Sequence, residues 1–500
     1  MTDILFGQSY YLRFDPKLYA AMQPYPPLGT LFAASFIREE GYEVALFDAM
    51  LAASEDEWAT ALDTYQPRYA VLFEDNFNYL SKMCLLNMRE AAFKMIGMAK
   101  ERDIPVIVCG ADATDRYELY LKAGGDYVIR GEGEETLAEL LAYLNGNPQT
   151  PPAEIAGLAY LNANDEVQVT LPRPVMKNLD EMPFPAWELV DVERYRNIWL
   201  ARHGYYSVNM VTTRGCPFHC NWCAKPIWGQ RYNVRSPQNV AAELAWLREN
   251  FQPDHIWFAD DIMGLKPGWI QEFADEIEKR NIRTPFKCLS RADLIVKDDT
   301  AQAMRRAGAR NIWIGAESGS QKILDAMDKG TTVEQIYESR RLLAEAGIEV
   351  GFFLQFGYIG ETREDIEKTL QMVRDLMPDD IGISVSYPLP GTKFHERVKT
   401  ELQKTNWQDS EDLAMLYQGT YTTEFYRQLH RVVHKEYRAR KTWQKLRRGQ
   451  LNPLKLQSMR RLGAMVYHTL TIGMARRKLD ALAGVSPSQA PIPLASTGQD

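Results

Sequence analysis

Short apolar runs alternate with amphipathic helical segments twice in this chain, over residues 1–145 and again over residues 206–400. That alternation is the strongest constraint on the fold, because strand–helix repeats bury their apolar faces by building a parallel sheet covered with helices. In the first stretch, strand signals at Asp3–Gly7, Tyr42–Asp48, Tyr69–Glu74, Pro105–Gly110 and Asp126–Arg130 are interleaved with helices. One helix, Leu28–Glu40, is closed by Gly41, and another is the acid-capped GEGEETLAELLAYL. They predict a doubly wound, Rossmann-like α/β domain whose ligand would sit outside the carboxyl ends of the strands. The loops Phe6–Tyr11, Glu74–Phe77 and Gly110–Thr114 belong at that edge. In the second stretch, six strands are expected at Val208–Thr212, His255–Ala259, Thr284–Ser290, Asn311–Ala316, Glu349–Phe356 and Ile381–Tyr387. Six strand–helix repeats predict a partial TIM-type barrel, open on one side, with its active face at the strand C-termini.

Residues 146–205 separate the two stretches and read as a Pro-rich, semi-rigid linker. Residues 401–484 are expected to be mainly helical, and 485–500 (VSPSQAPIPLASTGQD) a disordered tail. The opening MTDILFGQSYYLRFD is too polar for a signal peptide, and the chain has no run of 18 apolar residues, so a cytoplasmic protein is expected.

Chemistry concentrates in TTRGCPFHCNWCAKP, where Cys216, Cys220 and Cys223 fall just after the first barrel strand. Three soft thiolates in one loop suit an iron–sulfur cluster, and a cubane with three protein ligands keeps one iron open for chemistry. A zinc site is the rival, with His219 as its fourth ligand. A disulfide framework fits poorly in a 500-residue chain with six cysteines. Cys84, Cys109 and Cys288 are too widely spaced for a second cluster.

Further segments follow in strand order: Phe258-Ala259-Asp260-Asp261, Cys288-Leu289-Ser290-Arg291-Ala292-Asp293, Gly315-Ala316-Glu317-Ser318-Gly319-Ser320, Gly351-Phe352-Phe353 and Pro388-Leu389-Pro390-Gly391. With the cysteine spacing and the aromatic Trp222 before its last member, this order resembles the radical S-adenosylmethionine superfamily. The segments PYPPLGTLFAASFIREEGYEVALFDA, CGADAT and VIRGEGEET resemble the cobalamin-binding domain that precedes one subgroup of it, and NLDEMPFPAWEL resembles that subgroup's interdomain bridge. The subgroup contains radical C-methyltransferases and magnesium-protoporphyrin ester cyclase.

The resemblance implies a 4Fe-4S cluster on Cys216, Cys220 and Cys223, S-adenosyl-L-methionine bound at its open iron, and cobalamin on the N-terminal domain. It also implies that Ser290 and Arg291 contact the methionine carboxylate, that Glu317 with Ser318 lies near its amino group or the ribose, and that Trp222 borders the site. Gly110 and Asp112 stand where the subgroup often has Gly-Gly-x-His, and no D-x-H-x-x-G loop is present, so cobalt without a histidine from the protein is expected. The implied reaction is C–H functionalisation of a bulky organic substrate, by C-methylation or oxidative cyclisation, with flavodoxin or ferredoxin as reductant. Alternatives left open are radical chemistry without bound cobalamin, and a non-catalytic cluster-bearing sensor or scaffold.

Charge is unevenly placed. Between Phe425 and Asp480 there are 15 Lys or Arg against two acidic residues, although the whole chain carries a net −8. Basic residues interleaved with Leu, Met and Val, on two helices flanking Pro453, suit either an anionic membrane surface or docking on the acidic body of the same protein. No nucleic-acid motif accompanies the charge. Upstream, Trp407–His434 reads as an aromatic helix able to wall the barrel opening, with Tyr417, Tyr421, Tyr426, His430 and His434 as candidate substrate contacts or simply core residues.

Overall fold

The structure, a computed structural model, describes residues 2–83, 85–147, 150–402, 406–410, 413–452 and 456–484. Its first sheet contains β1 (Ile4–Gly7), β2 (Val44–Leu46), β3 (Tyr69–Phe73), β4 (Val106–Cys109), β5 (Tyr127–Ile129), β6 (Leu158–Leu161) and β7 (Val167–Val169), in the order β2-β1-β3-β4-β5-β6-β7. The first five are parallel, and β1, β3 and β4 are buried along their whole length, which is why they read as unbroken apolar runs.

The linker expectation needs correcting. Residues 158–169 form an antiparallel hairpin that extends the first sheet beyond β5, and Val192–His203 is a helix. Pro172, Pro174, Pro183 and Pro185 lie in the segment between the hairpin and this helix, where no ladder hydrogen bond is needed.

The second sheet contains β8 (Ser207–Met210), β11 (His255–Phe258), β12 (Phe286–Ser290), β13 (Ala309–Glu317), β14 (Glu349–Phe356) and β15 (Asp380–Val385). A separate two-residue ribbon pairs β9 (Thr213–Arg214) with β10 (Asn233–Val234). The order β15-β14-β13-β12-β11-β8 is parallel throughout and never skips a neighbour, so the sheet curls one way as an open six-stranded barrel. Alternation sorts its side chains. Phe258, Phe286, Cys288, Ile312 and Ile314 are buried, and the ring of Phe258 lies 6.0 Å from Phe273 of the covering helix Trp269–Arg280. Trp257, Lys287, Leu289 and Trp313 face the opposite way and are only partly buried.

In the C-terminal region the expected helix over Trp407–His434 starts only at Thr423, where the Thr422 hydroxyl accepts from the Phe425 N–H. Trp407, Leu416 and Tyr417 precede it as buried irregular chain. Tyr417 and Tyr426 are core residues, Tyr421 stacks on Phe425, and His430 packs against His434 with ring centroids 4.4 Å apart. Helix Thr423–Arg447 then runs antiparallel to Leu456–Ala483, joined by Lys435–Thr471 and Arg476–Glu436 contacts. Pro453 and the tail 485–500 lie outside the described residues.

Candidate functional site

The cysteine loop is closed at its base by the β9–β10 ribbon. Gly215 opens it with φ +82°, and a Cβ there would lie 2.5 Å from the Arg231 carbonyl oxygen, so glycine is required on both counts. Asn221, between two of the cysteines, pins the loop. Its side chain donates to the Ala326 carbonyl at 2.7 Å and accepts from Tyr358 Oη at 2.6 Å, and its main-chain N–H donates to Met327 O at 3.0 Å.

Cys216, Cys220 and Cys223 are free and partly buried. Burial pushes the Cys223 thiol up to about 12 and raises Cys216, so both favour the protonated form until a positive metal centre draws the proton off. Among the described residues no three His, Cys, Asp or Glu side chains stand close enough to hold a single metal ion, and His219 is exposed. The Trp222 Nε1 is buried without a partner.

Around this loop stand the strand ends. Asp260, after β11, accepts four hydrogen bonds of 2.7–3.0 Å from the N–H and hydroxyl groups of Thr212 and Thr213, tying the root of the loop to the next strand. Burial nonetheless raises its carboxyl to about 6. Arg291 lies against the loop differently from the sequence expectation. Its Nε donates to Asp293 at 2.8 Å, its Nη2 donates to Lys329 O at 2.8 Å and Thr331 Oγ1 at 2.9 Å, and its Cζ sits 3.6 Å over the Phe218 ring. Nη1 points at Cys220 Sγ, 3.9 Å away. The fork is thus held by Asp293 and the 329–331 segment, with its positive charge beside that sulfur.

Ser290 shares the helix-facing side of β12 with Cys288 and donates to Met263 O at 3.2 Å, and the buried Ser318 hydroxyl pairs with Thr369 at 3.1 Å. Strand alternation turns the Ser290 side chain away from the concave face.

Glu317 is different. Its φ of +57° places a non-glycine residue in the left-handed region at a register shift between β13 and β14, an arrangement that re-aims a side chain at the expense of strain. Its carboxylate accepts from Lys329 Nζ at 2.8 Å in a buried pair set over Gly315. Lys329 feels Glu317 first among charges, then the Cys220 sulfur. The sequence reading missed Lys329, Asn221 and Arg214; Asn221 inside the cysteine motif and Arg214 adjoining it carried a local signal, and Lys329 carried none.

Arg214 joins the two domains. Its guanidinium donates to Glu132 at 2.5 Å and to Glu134 at 2.7 Å, all three side chains being at least nine-tenths buried, while Phe32, Phe77 and Trp228 surround it. Beside it, Phe77 stacks on Trp228 at 5.0 Å and Lys82 reaches Asp261 at 2.6 Å. The C-terminal edge of the first sheet therefore faces the cysteine loop. Along that edge, Gln8 Nε2, Tyr10 Oη, Asn76 Oδ1 and Ser81 Oγ are buried without partners. Glu74 accepts from the Ser9 N–H at 3.1 Å and is pushed up to about 7 by burial. Gly110 packs on Glu74 so closely that a Cβ would come within 2.7 Å. Asp112 is occupied by Arg89 at 2.6 and 2.7 Å and by Tyr120 at 2.9 Å, so its role is to hold the loop's shape.

Residues 210–373 match the Radical SAM superfamily and residues 20–141 match the B12 binding domain. The chain is 28% identical over 377 residues to an uncharacterised methyltransferase of Pyrococcus horikoshii, covering 74% of this chain and 78% of the relative. It is 26% identical over 387 residues to the anaerobic magnesium-protoporphyrin IX monomethyl ester cyclase of Rubrivivax gelatinosus, covering 76% and 67%. In fold it is similar to TsrM, a radical S-adenosylmethionine methyltransferase of Kitasatospora setae solved with cobalamin and a [4Fe-4S] cluster. That match has a TM-score of 0.65 at 20% identity, covering 80% of this chain and 78% of the other. The cobalamin-dependent radical enzyme OxsB also matches, with a TM-score of 0.62 at 21% identity, over 75% of this chain and 52% of the longer OxsB chain.

Proposed function

The chain is a radical S-adenosylmethionine enzyme that carries a B12-binding domain, and from that premise we propose how its own residues divide the chemistry. Its reaction functionalises a C–H bond of a small organic substrate, by C-methylation or oxidative cyclisation. When bound, a 4Fe-4S cluster with S-adenosyl-L-methionine supplies the electron and the 5′-deoxyadenosyl radical, and cobalamin supplies group-transfer or redox capacity. Cys216, Cys220 and Cys223 would hold the cluster. The buried, unpartnered polar atoms of Gln8, Tyr10, Asn76 and Ser81 fit a ligand as rich in amides as a corrin.

Glu317 and Lys329 are assigned to the amino-acid end of S-adenosyl-L-methionine. A buried carboxylate accepts from an ammonium, and Lys329 keeps donors for a carboxylate beyond the one given to Glu317. Arg291 is assigned to the cluster side, steadying the loop and the charge on Cys220. The observation that carries this reading is the Arg214 clasp, which fixes the cysteine loop against the edge of the B12-binding domain in a single buried contact.

Uncoupled turnover tests the reading. Dithionite-reduced, reconstituted protein should release 5′-deoxyadenosine from S-adenosylmethionine, and Cys220→Ala should release none. Retained cleavage in that variant would refute the assignment of the cluster. Product analysis then separates methylation, which adds one methyl group, from cyclisation, which removes hydrogen.

Two partners complete the proposal: a flavodoxin or ferredoxin as electron donor, and an anionic membrane surface. Among the described residues no helix is long and apolar enough to cross a membrane. The last helix, however, exposes Val466 (52%), Tyr467 (57%), Leu470 (75%) and Met474 (58%), with Arg460, Arg461, Arg477 and Lys478 also exposed. An apolar row flanked by cations matches an anionic interface. Cosedimentation with phosphatidylserine-containing liposomes should fall on removal of residues 456–500, and unchanged binding would discard the membrane role.

A further inference from the structure

The concave face of the barrel carries a second organised set of side chains, none of them part of the cofactor machinery. Strand register puts Asn209, Trp257, Lys287 and Asn311 in one row across β8, β11, β12 and β13. These residues point away from Phe286, Cys288 and Ile312, which are buried on the opposite face. The next rows place Leu289, Trp313 and Gly351 together, then Gly315, Phe353 and Gly382.

Two glycines there make space for rings. A Cβ at Gly351 would come within 2.4 Å of the Trp313 indole, and one at Gly382 within 3.2 Å of Phe353 and 3.3 Å of Trp313. With hydrogen at both positions, the two rings lie across the strands with centroids 4.7 Å apart, and Phe353 remains 39% exposed. The two planes are tilted by 32°, and Phe353 is the exposed member of this aromatic pair.

Lys287 stands one strand away. Its Nζ lies 4.2 Å from the centroid of the Trp257 ring, and among the described residues it makes no ion pair and no hydrogen bond. Burial pushes its ammonium down to about 8, against the smaller opposing pull of the Asp380 charge, and neighbouring His255 is held down to about 4 by burial and so stays neutral. Asn311 Oδ1 and Gln355 Oε1 are buried without partners on the same face. A partly desolvated cation with no ion-pair partner among the described residues, bordered by an aromatic pair and unused polar atoms, has the composition of a ligand site.

We propose that this row recognises the substrate: Lys287 pairs with a carboxylate or phosphate group of a flat conjugated molecule whose face lies on Trp313 and Phe353. This deepens, and rests on, the reading of the barrel as the reaction chamber. Lys287 lies four residues before Arg291, about 13 Å along the strand. The anionic group is therefore held at the far end of the chamber, with the reacting carbon of a broad or elongated molecule near the cysteine loop.

Full-chain reconstituted protein can be titrated with pyrenebutyrate and its neutral counterpart pyrenebutanol, read by pyrene fluorescence. The parent should prefer the anion. Lys287→Gln should weaken pyrenebutyrate about tenfold while leaving pyrenebutanol unchanged. Lys287→Arg should keep the preference, and Trp313→Leu should weaken both probes. Equal anion binding by parent and Lys287→Gln, loss of preference in Lys287→Arg, or no binding by the parent would overturn the proposal. 5′-Deoxyadenosine release in the same samples reads the other question. A parent that cleaves no S-adenosylmethionine would fail the radical assignment independently of the probe result.

Discussion

Arg214 shows what a single residue can do at a domain boundary. Two buried carboxylates converge on one guanidinium, a geometry that the planar fork of arginine serves and the point charge of lysine cannot. Removing the charge altogether would leave Glu132 and Glu134 buried and unpaired, a loss of roughly 3–5 kcal/mol for a broken buried pair. Arg214→Lys is the gentler probe. It should retain iron yet raise hydrogen–deuterium exchange over residues 127–136 and 213–216, and unaltered exchange at both segments would argue against a clasp. Glu317→Gln should weaken S-adenosylmethionine about tenfold by equilibrium dialysis with iron content unchanged, since Lys329 would lose its counter-charge. Much of this was beyond the sequence. The cysteine ligands are legible because one short loop contains all three. Lys329 meets Glu317 12 residues away, beyond the helix Gln321–Ala326, and Asn221 meets Tyr358 137 residues away, so neither pairing has a local pattern. Ser290 was open to better reading, because alternation along β12 already pairs it with buried Cys288.

At the scale of elements, the parallel strands and the open barrel of six were readable from apolar runs of strand length separated by helices. The β6–β7 hairpin was not, since prolines on either side masked two short strands at the end of the sheet. The aromatic stretch before Thr423 misled for a related reason: its apolar residues bury against the barrel as irregular chain, without helical periodicity. The terminal helix pair depends on Glu436, which receives Arg374 at 2.7 Å and Arg476 at 2.6 Å. Burial pushes its carboxyl up, but the hydrogen bonds from Arg374 and Arg476 prevail and hold it at about 2. A carboxyl depressed in the folded state contributes stability in full above its unfolded value of about 4.3, and that stability is lost as pH falls through the folded value. Acid titration should therefore release the helix pair between about pH 4.3 and 2, and Glu436→Gln should lack this transition. An identical acid profile in parent and variant would place the pH sensitivity elsewhere.

In the whole molecule, two α/β units present their strand C-termini to each other, so that the edge of the B12-binding domain meets the cysteine loop through Arg214, Phe77–Trp228 and Lys82–Asp261. Such an arrangement matters only if both cofactors occupy one chain together. The direct test is anaerobic purification with hydroxocobalamin supplied, followed by iron, sulfide and corrin quantitation on one sample. About four irons and four sulfides with about one corrin per chain are expected. Iron and sulfide without corrin would contradict the facing-site account and leave the N-terminal domain as a lid over a cobalamin-free radical centre.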